Sequence, residues 1–491
     1  MKTQVAIWAG KTAGSLSRVI GYGGSTIPGV VARKLDHGFL RHLRKNANTI
    51  LFITGTNGKT TTANLISHLL ESSGKTVIAN REGSNMVTGI SAAMVRNAPL
   101  IGWLKNDAAV LEVDEASLPK AVSECPPDYL IVTNFFRDQL DRYGEVDLLI
   151  KKMKDCLKEI DVKLILNADD PFTHRFSDLQ KENVYIGLDA NSCRFQSYAM
   201  AESKYCPNCQ DELVYSVLHF GQLGHYHCPC GFERPKVTVN AEKIFQDEKG
   251  IRLIVNGEEY PTTLKGTYNA YNALFAISAC QALGMPLKEI KKGMTTYQKT
   301  DGRMQEFVIG KERWKLNLVK NPTGGNVTLS EFLQSNEKKQ LMFCLNDHLA
   351  DGEDISWIWD IDMELANREE VETFIASGKR AYDAALRMKY AGIPEEKIRI
   401  LPSLKHAVFF AKEMVVPAYI MATYTCLSPM VSILSQEARV IRKEEPNNGV
   451  TTIPFLPRHS KPVWGQRKYH MFKKALRMER NHRSGRGNQE S

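Results

Sequence analysis

The sequence predicts an α/β protein built from two successive domains, each a largely parallel sheet flanked by helices. Three observations carry that reading. Apolar runs of strand length alternate with helical patterns along most of the 491 residues, a glycine-bracketed loop joins the first strong run to an apolar helix, and the alternation breaks near Arg303 before starting again. Alternation of this kind implies parallel strands linked by crossover helices. The length suits two or three domains with cores of their own. A composition of 43% hydrophobic and 24% charged residues excludes the disordered and collagen-like classes.

In chain order, residues 1–46 read as a helical arm with a glycine-rich turn at Gly21 to Gly24. A central domain over 47–302 follows, with buried strands expected at Asn48 to Thr54, Ala108 to Val113, Tyr129 to Asn134 and Lys163 to Asn167. Cysteines, aromatics and short polar β-like segments mark an insertion at about 190–262. Residues 303–436 form a second α/β domain, with strands at Gln340 to Leu345, Val371 to Ala376, Ile398 to Leu401 and Ala418 to Ala422, and helices at Lys379 to Tyr390 and Leu404 to Met414. Residues 437–491 read as a basic, flexible tail. The net charge is +9, yet the stretch from Leu456 to Ser491 holds ten Lys or Arg against Glu479 and Glu490, so the body is nearly neutral. That removes a basic face spread over the fold. Within the tail, Trp464, Tyr469, Met471 and Phe472 interleave with cations that would each add about 1 kcal/mol near an anionic surface; a solvated extension is the alternative. No apolar run reaches the roughly 18 residues of a spanning helix, and neither a signal peptide nor an anchor is evident, so a cytoplasmic protein is expected.

The strand Ile50 to Thr54 runs into Gly55-Thr56-Asn57-Gly58-Lys59-Thr60-Thr61-Thr62 and then the apolar helix Ala63 to Leu70. Glycines let the backbone wrap a phosphate, the helix offers N-terminal N–H groups, Lys59 can reach the β- and γ-phosphates, and a threonine hydroxyl such as that of Thr60 can bind Mg²⁺. The spacing is that of a shortened Walker A loop, so ATP binding is expected. Downstream, Glu112, Asp114 and Glu115 stand at the carboxyl end of a strand, where ligands bind in open α/β sheets. Glu112 breaks the apolar pattern inside the strand and is read as a Mg²⁺ ligand. Asp114 and Glu115, taken singly, read as a solvated acidic loop.

Cys206 and Cys209 have C-x₂-C spacing, eighteen residues follow, and Cys228 and Cys230 have C-x-C spacing. Two such knuckles suit a closed structural Zn²⁺ site, with His225 or His227 as substitute ligands; a redox pair is the rival. Few basic residues accompany them, which weighs against nucleic acid. Asp347, Asp351 and Asp354 follow the apolar strand Leu341 to Leu345, and spacing alone leaves a solvated loop or helix cap as open as a functional cluster.

In this order the motifs resemble the Mur ligase superfamily, the ATP-dependent amide-forming enzymes that include folylpolyglutamate synthetase. Thr133 to Asp141 is similar to its T-N-x-x-x-D-H-L-D segment, Asn167 to Pro171 to its N-x-D-D-P turn, Gly266 to Ala273 to its G-x-H-N-x-x-N-A element, and Gly302-Arg303-Met304 to its G-R-M element. The resemblance implies a Mur ligase-like P-loop central domain with a zinc-ribbon insertion, followed by a Rossmann-like domain. It also implies that Asn134 and Asn272 contact adenine and Arg303 the phosphates. Gln139 and Tyr268 stand where the family has histidines, and Val319 to Asn326 replaces an Asp-rich turn of the amino-acid-adding members.

Those departures, with the cysteines, Gly21 to Gly29, Asn85 and the Leu345 to Asp360 segment, resemble the MurT branch, the synthetase subunits of lipid II isoglutaminyl synthase. That resemblance implies a heterodimer with a glutamine amidotransferase subunit, GatD, and lipid II as substrate at the inner face of the membrane. The α-carboxylate of its D-glutamate would be activated as an acyl phosphate and attacked by ammonia. Catalytic roles fall on Lys59, Glu112 and Asp354, with Asp354 first and Asp351 next as the aspartate completing the partner's Cys-His dyad. The implied cofactors are ATP, Mg²⁺ and Zn²⁺. No cysteine here has a nucleophile-elbow context with a downstream histidine, so glutamine hydrolysis by this chain alone is not expected. The rival readings are another amide ligase of folate or cyanophycin type, and a zinc-ribbon ATPase binding nucleic acid through its tail with steep salt dependence.

Overall fold

The computed structural model describes residues 2–19, 26–45, 47–81, 84–100, 106–136, 146–180, 182–192, 203–247, 249–266, 268–298 and 304–444. Arg303, Gln139, Gly21 to Ser25 and the tail from residue 445 therefore lie outside the described residues.

The strands are β1 Thr49–Thr54, β2 Val77–Ala79, β3 Ala108–Glu112, β4 Tyr129–Val132, β5 Lys163–Asn167, β6 Val184–Leu188, β7 Val214–Phe220, β8 Leu223–His227, β9 Val239–Asp247, β10 Gly250–Val255 and β11 Glu258–Thr262. Nine of them form one sheet in the order β11-β10-β9-β6-β5-β4-β1-β3-β2. Pairing is parallel from β2 across to β9 and antiparallel from β9 to β11. β1 lies between β3 and β4, and strand order reverses beside it, which opens a crevice at its carboxyl end.

Both faces of β1 are covered, so its side chains alternate between two cores. Leu51 and Ile53 pack with helices Lys59–Ser72 and Tyr268–Ala282, while Ile50 and Phe52 pack on the opposite side with helix Val87–Asn97. Helix Tyr268–Ala282 is buried almost throughout, which explains its lack of a polar stripe. The described residues of the N-terminal arm form helices Lys2–Val19, Ile27–Leu35 and Phe39–Arg44, which are integral to the second of these cores. Ala6, Ala32, Phe39 and Leu40 are fully buried there. Gly29 permits the approach: a Cβ on it would fall 2.0 Å from the Thr88 carbonyl oxygen.

β9, β10 and β11, which the sequence places inside the insertion, belong to the main sheet. Helix covers one of their faces and the other is largely exposed, so they alternate apolar and polar residues and read as short polar segments. Among the described residues of the insertion, the β7–β8 hairpin and its cysteine knuckles stand apart from it.

The second sheet contains β12 Gln305–Ile309, β13 Glu312–Leu318, β14 Lys339–Cys344, β15 Val371–Ser377, β16 Ile398–Ile400 and β17 Ala418–Ala422 in the order β12-β13-β17-β14-β15-β16. It is parallel except for the β12–β13 hairpin, an edge pair that pattern alone does not reveal because its outward residues are polar. Leu341 and Phe343 of β14 face one core and Met342 and Cys344 the other. Among the described residues, no helix is long and apolar enough to cross a membrane.

Candidate active site

β1 ends in the loop Gly55 to Gly58, and helix Lys59–Ser72 begins where the loop closes. Two glycines are required here. Gly55 has φ 115° and Gly58 φ 89°, and a Cβ would fall 2.3 Å from the Thr133 hydroxyl at the first and 2.3 Å from Asn272 Oδ1 at the second. The loop is held from β4 and the segment after it. Thr56 N–H donates to the Asn134 carbonyl (2.8 Å), Asn57 N–H to Asn134 Oδ1 (2.9 Å), and Asn134 Nδ2 to the Asn57 carbonyl (3.1 Å). Asn134 thus clamps the loop backbone with both ends of its amide. Asp170 accepts from Phe135 N–H (2.8 Å) while capping helix Pro171–His174, so the Asn167 to Pro171 turn braces the same segment.

Lys59 is buried, and its ammonium lies 3.1 and 3.2 Å from the two carboxylate oxygens of Glu115. Glu115 is only 6% exposed. The acidic loop of the sequence reading is therefore half wrong: Glu115 is the buried counter-ion of the phosphate-loop lysine. Burial pushes its carboxyl above the usual range, with Lys59 opposing. The only sequence signal was its place three residues after Glu112, which puts it at the start of a 3₁₀ turn folding back over the loop.

Glu112 closes β3 and is anchored through its backbone by Asn80, which donates to its carbonyl (2.8 Å) and accepts from its N–H (2.9 Å). The carboxylate is left to face Thr60, whose hydroxyl donates to it at 2.8 Å, and Asn85 Nδ2 at 3.3 Å. A hydroxyl and a carboxylate oxygen side by side at the mouth of a phosphate loop are hard donors suited to Mg²⁺. Thr61 is buried, and Thr62 donates to Asn272 Oδ1 at 3.2 Å.

A cleft between the two sheets opens beside this loop. Asn57, Gly58, Asn134 and Asn272 line one side, and Asn317, Lys320 and Asn321 the other. Tyr268 lines it too, in place of the family histidine. Asn321 Nδ2 donates across it to Asn57 Oδ1 at 3.2 Å, while Asn321 Oδ1 caps helix Pro322–Phe332 through Gly324 N–H at 2.8 Å. The segment Val319 to Asn326 thereby aims a helix N-terminus at the cleft.

The four cysteines converge. Their sulfurs lie within 4.8 Å of one another, with Cys206 to Cys230 at 3.5 Å and Cys209 to Cys228 at 3.4 Å. Those separations are far beyond the roughly 2.05 Å of a disulfide and close to the edges of a tetrahedral thiolate site. His225 is turned away, its Nε2 2.8 Å from the Leu188 carbonyl, and neither it nor His227 belongs to the cluster. The residues fit a structural Zn²⁺.

Behind the knuckles, Arg234 pairs with Asp169 at 2.6 Å, and Asp169 is fully buried. Its other oxygen accepts from Tyr271 (2.8 Å) and from Leu188 N–H (2.8 Å). Arg234→Ala should destabilise the protein by about 3–5 kcal/mol, since it strands a buried carboxylate; a thermal denaturation midpoint unchanged from the parent would refute this.

In the second domain, Asp351 is buried and accepts from Thr425 N–H (2.7 Å), the Thr425 hydroxyl (2.5 Å) and His348 N–H (3.2 Å). Asp354 is half-buried and, among the described residues, accepts only from Ser356, through its N–H (2.8 Å) and hydroxyl (2.9 Å). Asp351 is a staple between two segments, whereas Asp354 is bonded, among the described residues, only within its own turn.

Family models describing a Mur ligase middle domain and a MurT ligase C-terminal domain match residues 53–280 and 318–427. The lipid II isoglutaminyl synthase (glutamine-hydrolyzing) subunit MurT of Staphylococcus aureus strain COL is 39% identical over 438 residues, 89% of this chain and 98% of that protein. The chain belongs to the MurT family of Mur ligases. The subunit MurT of Streptococcus pneumoniae is 33% identical and is covered over 99% of its length. Among solved structures, a pseudomurein peptide ligase type C from Methanothermus fervidus aligns with TM-score 0.62 at 23% identity over 81% of this chain and 79% of that one. A Mycobacterium tuberculosis folylpolyglutamate synthase complexed with ADP and AMPPCP aligns with TM-score 0.53 at 13% identity over 84% and 94%. These likenesses establish the fold, and membership in the MurT family makes the chain an ATP-dependent ligase.

Proposed function

We propose that this MurT-family chain amidates the α-carboxylate of D-glutamate in the lipid II stem peptide, using ammonia released by a glutaminase partner of the GatD type. The observation that carries the reading is the pairing of a complete phosphate loop with a second-domain aspartate, Asp354, whose half-buried carboxylate bonds only its neighbour Ser356 among the described residues.

A carboxylate resists attack by ammonia because its leaving group would be oxide. Transfer of the γ-phosphoryl group to a carboxylate oxygen forms an acyl phosphate and releases ADP; ammonia then attacks the carbonyl carbon and expels phosphate. Catalysis is positioning and charge stabilisation. Gly55 to Thr61 would cradle the phosphates with backbone N–H groups. Lys59, released from Glu115, would neutralise charge on the transferring group. Thr60 and Glu112 would hold Mg²⁺, which when bound screens the phosphate oxygens. Asn134 and Asn272, expected from the resemblance to contact adenine, have their amides engaged on Asn57, Thr62 and Asn269 and would instead fix the loop beside the nucleotide, and Lys320, with the capped helix at Asn321, would close the cleft from the other domain. Asp354 would orient the partner's catalytic histidine through its second ring nitrogen.

The same domain carries an exposed aromatic stripe that would suit a partner. Trp359 and Tyr390 are exposed with ring centroids 5.6 Å apart, and Tyr382 and Leu386 continue the stripe along helix Ala381–Tyr390 at four-residue spacing. Exposed aromatics at this density are characteristic of docking faces.

The test is ATP-dependent amidation of lipid II read by mass spectrometry. The chain with ammonium should give the loss of one mass unit that replacing hydroxyl by amino brings, and glutamine should serve only when the glutaminase is added. Binding of the glutaminase and ATP hydrolysis without amidation under either condition would direct the search to other carboxylate substrates.

A further inference from the structure

The cysteine-bearing hairpin reaches well beyond its metal end. β7 and β8 are joined through Gly221 and Gln222, and Phe220, the last residue of β7, lines the cleft with Asn134, Tyr271 and Asn272. The tip is docked against the first domain. Phe220 stacks on Phe136 with centroids 5.8 Å apart and planes 20° from parallel, and meets Tyr271 edge-on at 5.8 Å. Gln222 donates to the Phe135 carbonyl. Gly221 has φ 56°, and a Cβ there would fall 2.6 Å from the Phe136 ring, so the turn sits as close as a chain can.

At the other end, Cys228 follows β8 directly, about 15 Å along the strand from the tip. Between the two ends, Gly224 N–H donates to the Asp169 carbonyl (2.8 Å), and past the knuckle Arg234 pairs with the Asp169 carboxylate (2.6 Å), whose second oxygen accepts from Tyr271. One buried carboxylate therefore joins the root of the hairpin to a side chain of the cleft wall. A two-stranded ribbon is marginal by itself in water, so its position depends on what holds its ends.

We propose that this hairpin is a wall of the nucleotide site: Phe220 supplies the aromatic surface against which the purine base rests, and zinc on the four thiolates sets where that surface stands. The inference rests on reading the cleft as the nucleotide site. The loop and Lys59 serve the phosphates, the amides of Asn134 and Asn272 are engaged in holding that loop and its helix, and Phe220 on the cleft wall offers the π face on which a purine rests.

The test is calorimetric titration of the full-length, zinc-loaded chain with ADP and, separately, with inorganic tripolyphosphate, both with Mg²⁺. Phe220→Ala should weaken ADP binding about tenfold, the scale of a lost base–aromatic contact, while tripolyphosphate, which has no base, binds as before. Phe220→Trp should retain ADP affinity. Zinc removed by a chelator, itself then dialysed away, should weaken ADP binding by a similar factor in the parent and add nothing in Phe220→Ala, because both changes displace one surface. ADP affinity untouched by Phe220→Ala, or ADP and tripolyphosphate weakened equally, overturns the wall. Additive losses on zinc removal, or tripolyphosphate lost with the zinc, overturn the coupling. Lys59→Ala separates the two readings: if it leaves both ligands unaffected, the cleft is not the nucleotide site, whereas loss there with Phe220→Ala silent removes only the hairpin.

Discussion

Lys59→Ala is expected to lower amidation on the order of 10²–10³-fold or more with ammonium and glutamine alike, the scale on which removal of one charge-stabilising donor acts. Both nitrogen sources suffer because the lysine serves the phosphoryl transfer that precedes either. The same substitution should cost about 3–5 kcal/mol of stability, since it leaves Glu115 buried without its cation in a place where burial already raises its carboxyl. Stability loss and catalytic loss could then be confused. The double variant Lys59→Met with Glu115→Gln separates them by removing both charges at similar volume. Its thermal midpoint should return most of the way to the parent value while turnover stays low. Recovery of turnover in the double variant would show that Lys59 acts only as a structural counter-ion.

The Lys59–Glu115 contact also marks the limit of what the sequence discloses. The phosphate loop is legible because its chemistry demands a local pattern: two positions at positive φ, a lysine and a hydroxyl at the start of a helix. The cysteines are legible for the same reason, since a tetrahedral site needs paired knuckles. Glu115 has no such local demand. Its role depends on a 3₁₀ turn that brings it over a loop fifty-six residues earlier in the chain. Strands buried on both faces, such as β1, β3 and β14, show themselves as unbroken apolar runs, whereas β9 to β13 lie toward sheet edges with one face wet and lose that signal. Phe220 is hidden for a different reason: a ring at the tip of a polar hairpin reads as an ordinary β residue until the hairpin is docked.

Asp354→Asn should divide the two activities. Ammonium-driven amidation is expected to stay at the parental rate, because the residue lies in the second domain away from the phosphate loop and holds nothing but Ser356 among the described residues. An asparagine can still accept from Ser356 through its amide oxygen, so the local 3₁₀ turn survives. Glutamine-driven amidation should fall on the order of 10³–10⁴-fold, as when an orienting aspartate becomes an amide and the imidazole beside it takes the wrong tautomer. The neighbouring Asp351 provides the contrast. Asp351→Ala removes an acceptor from Thr425 and His348 in a buried setting, and should destabilise the domain by about 1–3 kcal/mol for each donor left unsatisfied, so that both activities decline together on warming. Loss of ammonium-driven turnover in Asp354→Asn, at a temperature where the variant is folded, would move this residue from the partner's histidine to the synthetase step itself.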